Sequence, residues 1–227
     1  MKWLLPTIFM LSLAFPLPLA KARIASEAGL LAVETVTDLT INDSVREKSL
    51  SCKVYFSAAG GLTPVILFSH GFGGNKESFA PVSRHWASHG YVVIHPTRAD
   101  GLDRVRGDLQ REPAPRLPLN RPGGLLAGLD DPHVVRDRVA DLILILDSLE
   151  NLPQTWPGLA GKMDINSIGV AGHSFGAYTT MLVGGVTVNL GQEKAKSFRD
   201  PRVKCILLIS AQGTGQQRLT PESWKNL

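Results

Sequence analysis

The stretch INSIGVAGHSFGAYTTMLVGGV, residues 165–186, decides how this chain is read. It opens on a short apolar run, Ile165 to Ala171. It then passes through Gly172-His173-Ser174-Phe175-Gly176 and enters a helical-looking run, Ala177 to Val186. A G-x-S-x-G pattern held between a strand and a helix is the context of a nucleophile elbow, a strained turn that lifts a serine hydroxyl above a sheet. Gly172 and Gly176 let the chain turn where a Cβ would clash. A lone G-x-S-x-G carries little weight, so the reading rests on the elements around it. Ser174 is thus the candidate nucleophile. His173 adjoins it, so its side chain should point elsewhere and serve a structural role beneath the turn.

A serine hydroxyl is a weak nucleophile and needs a base, a group to orient that base, and donors aimed at the developing oxyanion. In an elbow one donor is the N–H of the residue after the serine, here Phe175. The other comes from a loop after an earlier strand. His70-Gly71-Phe72-Gly73-Gly74 follows the apolar run Pro64–Ser69 and fits that place. Its glycines Gly71 and Gly73 allow close approach of the backbone, and Phe72 is assigned the second donor. His70 is read as structural. His85 and His89 are read as helix-surface residues and His133 as solvent-facing at a helix start. His95 follows a strand at the end where sites form and is a candidate for the substrate rim.

The remaining pattern supports one α/β domain over residues 23–227. Val33–Leu39 and Leu50–Phe56 alternate partially and flank a polar turn, which predicts an antiparallel pair. Pro64–Ser69 reads as a strand buried on both faces of a parallel sheet. Glu77–His89 reads as a helix ended by Gly90, and Tyr91–Ile94 as the next strand. Asp130–Leu149 is the clearest helix. Val134, Val135, Val139, Leu142, Ile143, Leu146 and Leu149 form one face at 3.6 spacing, and Asp131-Pro132 suits its start. Val203–Ser210 is a further strand, and Thr220-Pro221-Glu222 a helix start. The alternation implies a mostly parallel central sheet with helices on both faces. Between His95 and Leu129 lies a long Pro- and Arg-rich connection. It reads as a solvated lid, with recognition of an anionic substrate by its arginines as the sharper alternative.

Composition sets the bounds. The chain has 227 residues and a formal charge of +4. Met1–Ala22 reads as a signal peptide, with Lys2, an apolar run from Trp3 to Leu13, and an Ala20-Lys21-Ala22 cleavage pattern. The run is broken by prolines and short of a membrane span, so no stable span is expected after cleavage. An exported product, secreted or periplasmic, follows. Removing Lys2 and Lys21 leaves 22 basic and 20 acidic residues, a net +2 that gives no argument for a nucleic-acid partner. Cys52 and Cys205 fall in strands placed far apart, and both are expected to be buried thiols rather than a disulfide.

No histidine follows His173 in the sequence. In this type of site the acid and histidine come after the serine. Both are therefore expected beyond Leu227, with the last strands of the sheet, making this an N-terminal portion of a domain. Asp200 precedes a strand at the wrong end of the sheet and is not the expected acid.

Val65-Ile66-Leu67-Phe68-Ser69-His70-Gly71-Phe72-Gly73-Gly74 and Gly172-His173-Ser174-Phe175-Gly176-Ala177 resemble the α/β-hydrolase group that includes platelet-activating-factor acetylhydrolases and dienelactone-hydrolase-like bacterial proteins. Ser210-Ala211-Gln212-Gly213-Thr214-Gly215 and Leu219-Thr220-Pro221-Glu222-Ser223-Trp224 are similar to the bacterial branch. The resemblance implies an α/β-hydrolase fold and a serine carboxylesterase acting on a small or lipid-like ester, with no metal and no organic cofactor. It carries the nucleophile to Ser174 and the oxyanion donors to Phe72 and Phe175. Dienelactone hydrolases carry cysteine in the elbow, so Ser174 points to more general ester hydrolysis. A non-catalytic protein that kept the fold and lost the base is the alternative.

Overall fold

The computed structural model describes residues 26–97, 129–225 and 227. The leader Met1–Ala22 and nearly all of the Arg/Pro-rich connection lie outside the described residues. Six strands form the main sheet: β1 (Val33–Asp43), β2 (Lys48–Ser57), β3 (Thr63–Ser69), β4 (Val92–Thr97), β5 (Met163–His173) and β8 (Val203–Ile209), in the spatial order β1-β2-β4-β3-β5-β8. A two-stranded hairpin, β6 (Val188–Leu190) with β7 (Glu193–Lys196), lies apart. Pairing is antiparallel from β1 to β2 and from β2 to β4, then parallel across β4, β3, β5 and β8. This is the mostly parallel sheet that the alternation of elements predicts, and the α/β-hydrolase fold that the resemblance implies.

The helices are α1 (Ala80–Ser88), α2 (Pro132–Ser148), the single turn α3 (Leu152–Thr155) and α4 (Phe175–Gly184). Strand periodicity divides the core between the two sheet faces. Val54, Phe56, Val65, Leu67, Val92 and Ile94 point to the larger side, with Val135, Val139, Leu142 and Leu146 of α2 and Tyr178, Met181 and Leu182 of α4. Tyr55, Phe68 and Val93 point to the opposite side, with Ala87 of α1 and the partly buried Trp86. Among the described residues, no helix is long and apolar enough to cross a membrane.

Several boundaries differ from the sequence expectation for local reasons. β1 runs to Asp43 because a register shift between Val36 and Leu39 breaks the alternation that would have marked its length. Its turn is closed by Asp43, whose carboxylate accepts from the N–H groups of Val45 and Arg46. β4 extends through Pro96 to Thr97. Proline is tolerated there because β3 pairs only with Val92–Ile94. α1 starts at Ala80, after Phe79 takes a left-handed φ of 61°. Its C-terminal Gly90 has φ +91°, the capping role read from the sequence. Asp131 caps α2 by accepting from the His133 N–H at 2.8 Å.

Cys52 and Cys205 are not joined in a disulfide. Cys52 is on β2 and Cys205 on β8, with three strands between them, so neighbouring-strand spacing alone keeps them about 19 Å apart. Cys205 is exposed, contrary to the expectation of two buried thiols, because β8 is the outer strand of the sheet. Leu207 and Leu208 on the same strand are also exposed.

Candidate active site

Parallel β3 and β5 end side by side, with Ser69 opposite Gly172, so the glycine loop after one strand meets the serine turn after the other. Ser174 is the pivot. Its φ of 53° and ψ of −122° lie where side-chain-bearing residues are rare, at a typical cost of about 1–3 kcal/mol. Both sides of the residue are held. Its N–H donates to Ile209 O at the end of β8 (2.9 Å), and its carbonyl accepts from Tyr178 N–H in the first turn of α4 (3.1 Å). Ser174 as a whole is half-buried.

The glycines of the motif are demanded by the close packing of β3, β5 and α4. A Cβ on Gly176 would sit 1.8 Å from Ser69 O, and one on Gly172 would sit 2.3 Å from Gly176 O. A Cβ on Gly71 would lie 3.2 Å from His173 Nδ1 and 3.5 Å from Ser174 Cβ, which measures how closely the two loops approach. Gly71 to Gly74 form a β-turn closed by Gly74 N–H to Gly71 O (3.1 Å), with Gly73 at φ +76° as a type II turn requires.

The two assigned oxyanion donors are carried on this framework. Phe175 is the first residue of α4, where a backbone N–H has no acceptor within its own helix. Among the described residues, no hydrogen bond uses the N–H of Phe72 or of Phe175. Their rings meet edge to face at 5.8 Å, and Phe175 also stacks on Tyr178 at 5.6 Å. Burial pushes the Tyr178 hydroxyl well above its usual range, and it donates to Gln217 O.

Arg138 is the residue that sequence reasoning missed. It is 2% exposed, on α2, under the glycine loop. Its Nη1 donates to His70 O at 2.7 Å and its Nη2 to Gly71 O at 3.2 Å, while the guanidinium lies 4.8 Å from the Phe175 ring centre. The signal was available: position 138 follows Val135 by three and precedes Leu142 by four, so a charge occupies the apolar stripe of an amphipathic helix.

The histidines are all described, and none hydrogen-bonds Ser174 among the described residues. His173 packs its ring against Phe79 at 4.8 Å. His70 is buried, with Nδ1 2.7 Å from Gly71 O. His85 and His89 contact each other at 4.7 Å on α1, and His133 is exposed. His95 does not line a rim as expected. It is fully buried in β4, edge-on to Phe68 at 4.4 Å and with Nδ1 3.0 Å from Lys76 O, because β4 continues past it. Asp200 sits before β8, at the opposite end of the sheet from Ser174, and is bound by Arg202. Among the described residues, no group of three metal-ligating side chains occurs.

Strand order, the strand–serine–helix turn and the glycine loop together define an α/β-hydrolase-fold protein. Residues 29–102, which include the glycine loop, match the family of platelet-activating factor acetylhydrolase, isoform II. Among solved structures, a ferulic acid esterase from Streptomyces cinnamoneus is 21% identical, with a TM-score of 0.46 over 69% of this chain and 56% of its own. DcsB, solved in complex with its substrate analogue, is 18% identical, with a TM-score of 0.47 over 78% of this chain and 45% of its own. The chain thus spans about half the length of these two proteins.

Proposed function

We propose that this chain carries the nucleophile turn of a serine hydrolase acting on carboxylic esters. The observation behind this reading is the positive φ of Ser174 in a turn that the glycine loop approaches closely, with the N–H groups of Phe72 and Phe175 engaged by no described residue. Ser174 Oγ attacks the ester carbonyl carbon. The N–H groups of Phe72 and Phe175 stabilise the tetrahedral oxyanion, and the alcohol departs with a proton to leave an acyl-enzyme that water hydrolyses. The acetylhydrolase family matched over residues 29–102 supports an ester as the substrate.

One observation favours weak turnover or a purely binding role. None of the histidines hydrogen-bonds Ser174, so the serine has no histidine base among the described residues. Oxyanion donors and binding alone sustain only residual catalysis. Hydrolysis of p-nitrophenyl acetate by the chain and by Ser174→Ala tests both parts. Slow turnover lost on substitution is expected. Equal rates in the two proteins would remove the serine assignment, and fast Ser174-dependent turnover would remove the claim of a missing base.

A further inference from the structure

We propose that Arg138 is a positioning residue for the oxyanion pocket, fixing the direction in which the Phe72 N–H points; this rests on the serine-hydrolase reading above. In a trans peptide the carbonyl and the following N–H point in opposite directions. The Gly71 carbonyl and the Phe72 N–H belong to one such unit. Three groups converge on that carbonyl oxygen: Arg138 Nη2 at 3.2 Å, Gly74 N–H at 3.1 Å and His70 Nδ1 at 2.7 Å. Anchoring the oxygen inside the protein turns the Phe72 N–H outward, away from Arg138.

The adjacent peptide is held as well, since Arg138 Nη1 takes His70 O at 2.7 Å. The guanidinium fork suits this task because its donors are rigidly arranged and it has no acceptor of its own. A charged donor on the carbonyl also polarises the amide and strengthens its N–H as a donor. The same side chain lies over the Phe175 ring, and that ring meets the Phe72 ring. One arginine therefore braces both residues whose N–H groups face the developing oxyanion, without touching substrate itself. A buried charge on the apolar face of α2 has its physical reason in this clamp.

The test compares the full chain with Arg138→Met, Arg138→Lys and Ser174→Ala. The assays are p-nitrophenyl butyrate kinetics and the ¹⁵N–¹H resonance of Phe72, with circular dichroism to confirm folding. Misdirecting one oxyanion donor is expected to lower kcat about 10- to 100-fold with KM within about twofold, as for an interaction made only in the transition state. The Phe72 resonance is expected to shift and broaden while those of α1, on the opposite face of the sheet, stay in place. Lysine can serve one carbonyl but not both in the same geometry, so its kcat should fall in between. A folded Arg138→Met protein with unchanged kcat, or with a lowered kcat and an unmoved Phe72 resonance, would overturn the proposal. If Ser174→Ala leaves turnover intact, the serine reading fails separately and the Phe72 resonance alone decides the role of Arg138. Should Arg138→Met not fold, Arg138→Lys carries the same two measurements.

Discussion

Gly176→Ala places a methyl group against two successive main-chain carbonyls at the end of β3. The new Cβ would lie 1.8 Å from Ser69 O and 2.5 Å from His70 O, where real contacts stay above 3.0 Å. Neither neighbour is a flexible side chain, so the start of α4 and the end of β3 must part by roughly 1 Å in an interior packed at crystal density. Overpacking typically costs about 1–3 kcal/mol where side chains can adjust, and with main chain as the obstacle the upper end, about 3 kcal/mol, applies. In a domain of this size that is a fall in melting temperature of about 6–12 °C. Urea titration and thermal circular dichroism measure it. Gly61→Ala is the control, since nothing lies within 4 Å of its Cβ position, and it should stay within about 0.5 kcal/mol of wild type. A Gly176→Ala protein within that same margin would show that the tight approach of α4 to β3 is not as described.

Other outcomes follow from charge and exposure. The hydrogen bonds from Arg202 to Asp200 outweigh its burial and hold its carboxyl below the usual value of 3.8. A carboxylate depressed in the folded state adds stability above its unfolded value and loses it as pH falls through the folded value. Wild type should therefore exceed Arg202→Met in unfolding free energy at pH 6, with the gap closing toward pH 2; a gap constant across that range would rule out the linkage. Cys205 is exposed on β8 and Cys52 buried on β2, so a disulfide-exchange reagent should modify one thiol in the native chain and the second only on unfolding. Fast modification of both would contradict the placement of Cys52.

The sequence revealed those parts of the fold whose physics is local. Continuous apolar runs announced β3, β5 and β8, and the 3.6 spacing of Val135, Val139, Leu142 and Leu146 announced α2. Gly90 and Asp131 marked helix ends because capping involves only neighbouring residues. The hairpin of β6 and β7 stayed hidden because it is short and Glu193–Lys196 is polar and mostly exposed. The extent of β1 was obscured by a register shift. His95 and Cys205 were misjudged for a common reason. Whether a strand residue is covered depends on which strand lies next to it, and the spatial order β1-β2-β4-β3-β5-β8 departs from sequence order.

The candidate site divides in the same way. Gly71, Phe72, Gly73, Gly172, Ser174, Phe175 and Gly176 were legible because each glycine answers a steric demand written into a short motif. Arg138 was not, because its meaning depends on two carbonyls 67 and 68 residues upstream. The pair of half-buried Arg46 and buried Asp141, 2.7 Å apart, was missed on the same grounds, linking the β1–β2 turn to α2.

The most direct measurement of the central claim is the location of a covalent adduct after treatment with a fluorophosphonate, read by peptide mass spectrometry. On the proposed reading Ser174 should take the label slowly but ahead of every other serine, and Ser174→Ala should abolish that adduct. Label spread evenly over surface serines, or none on Ser174 while others react, would contradict the account.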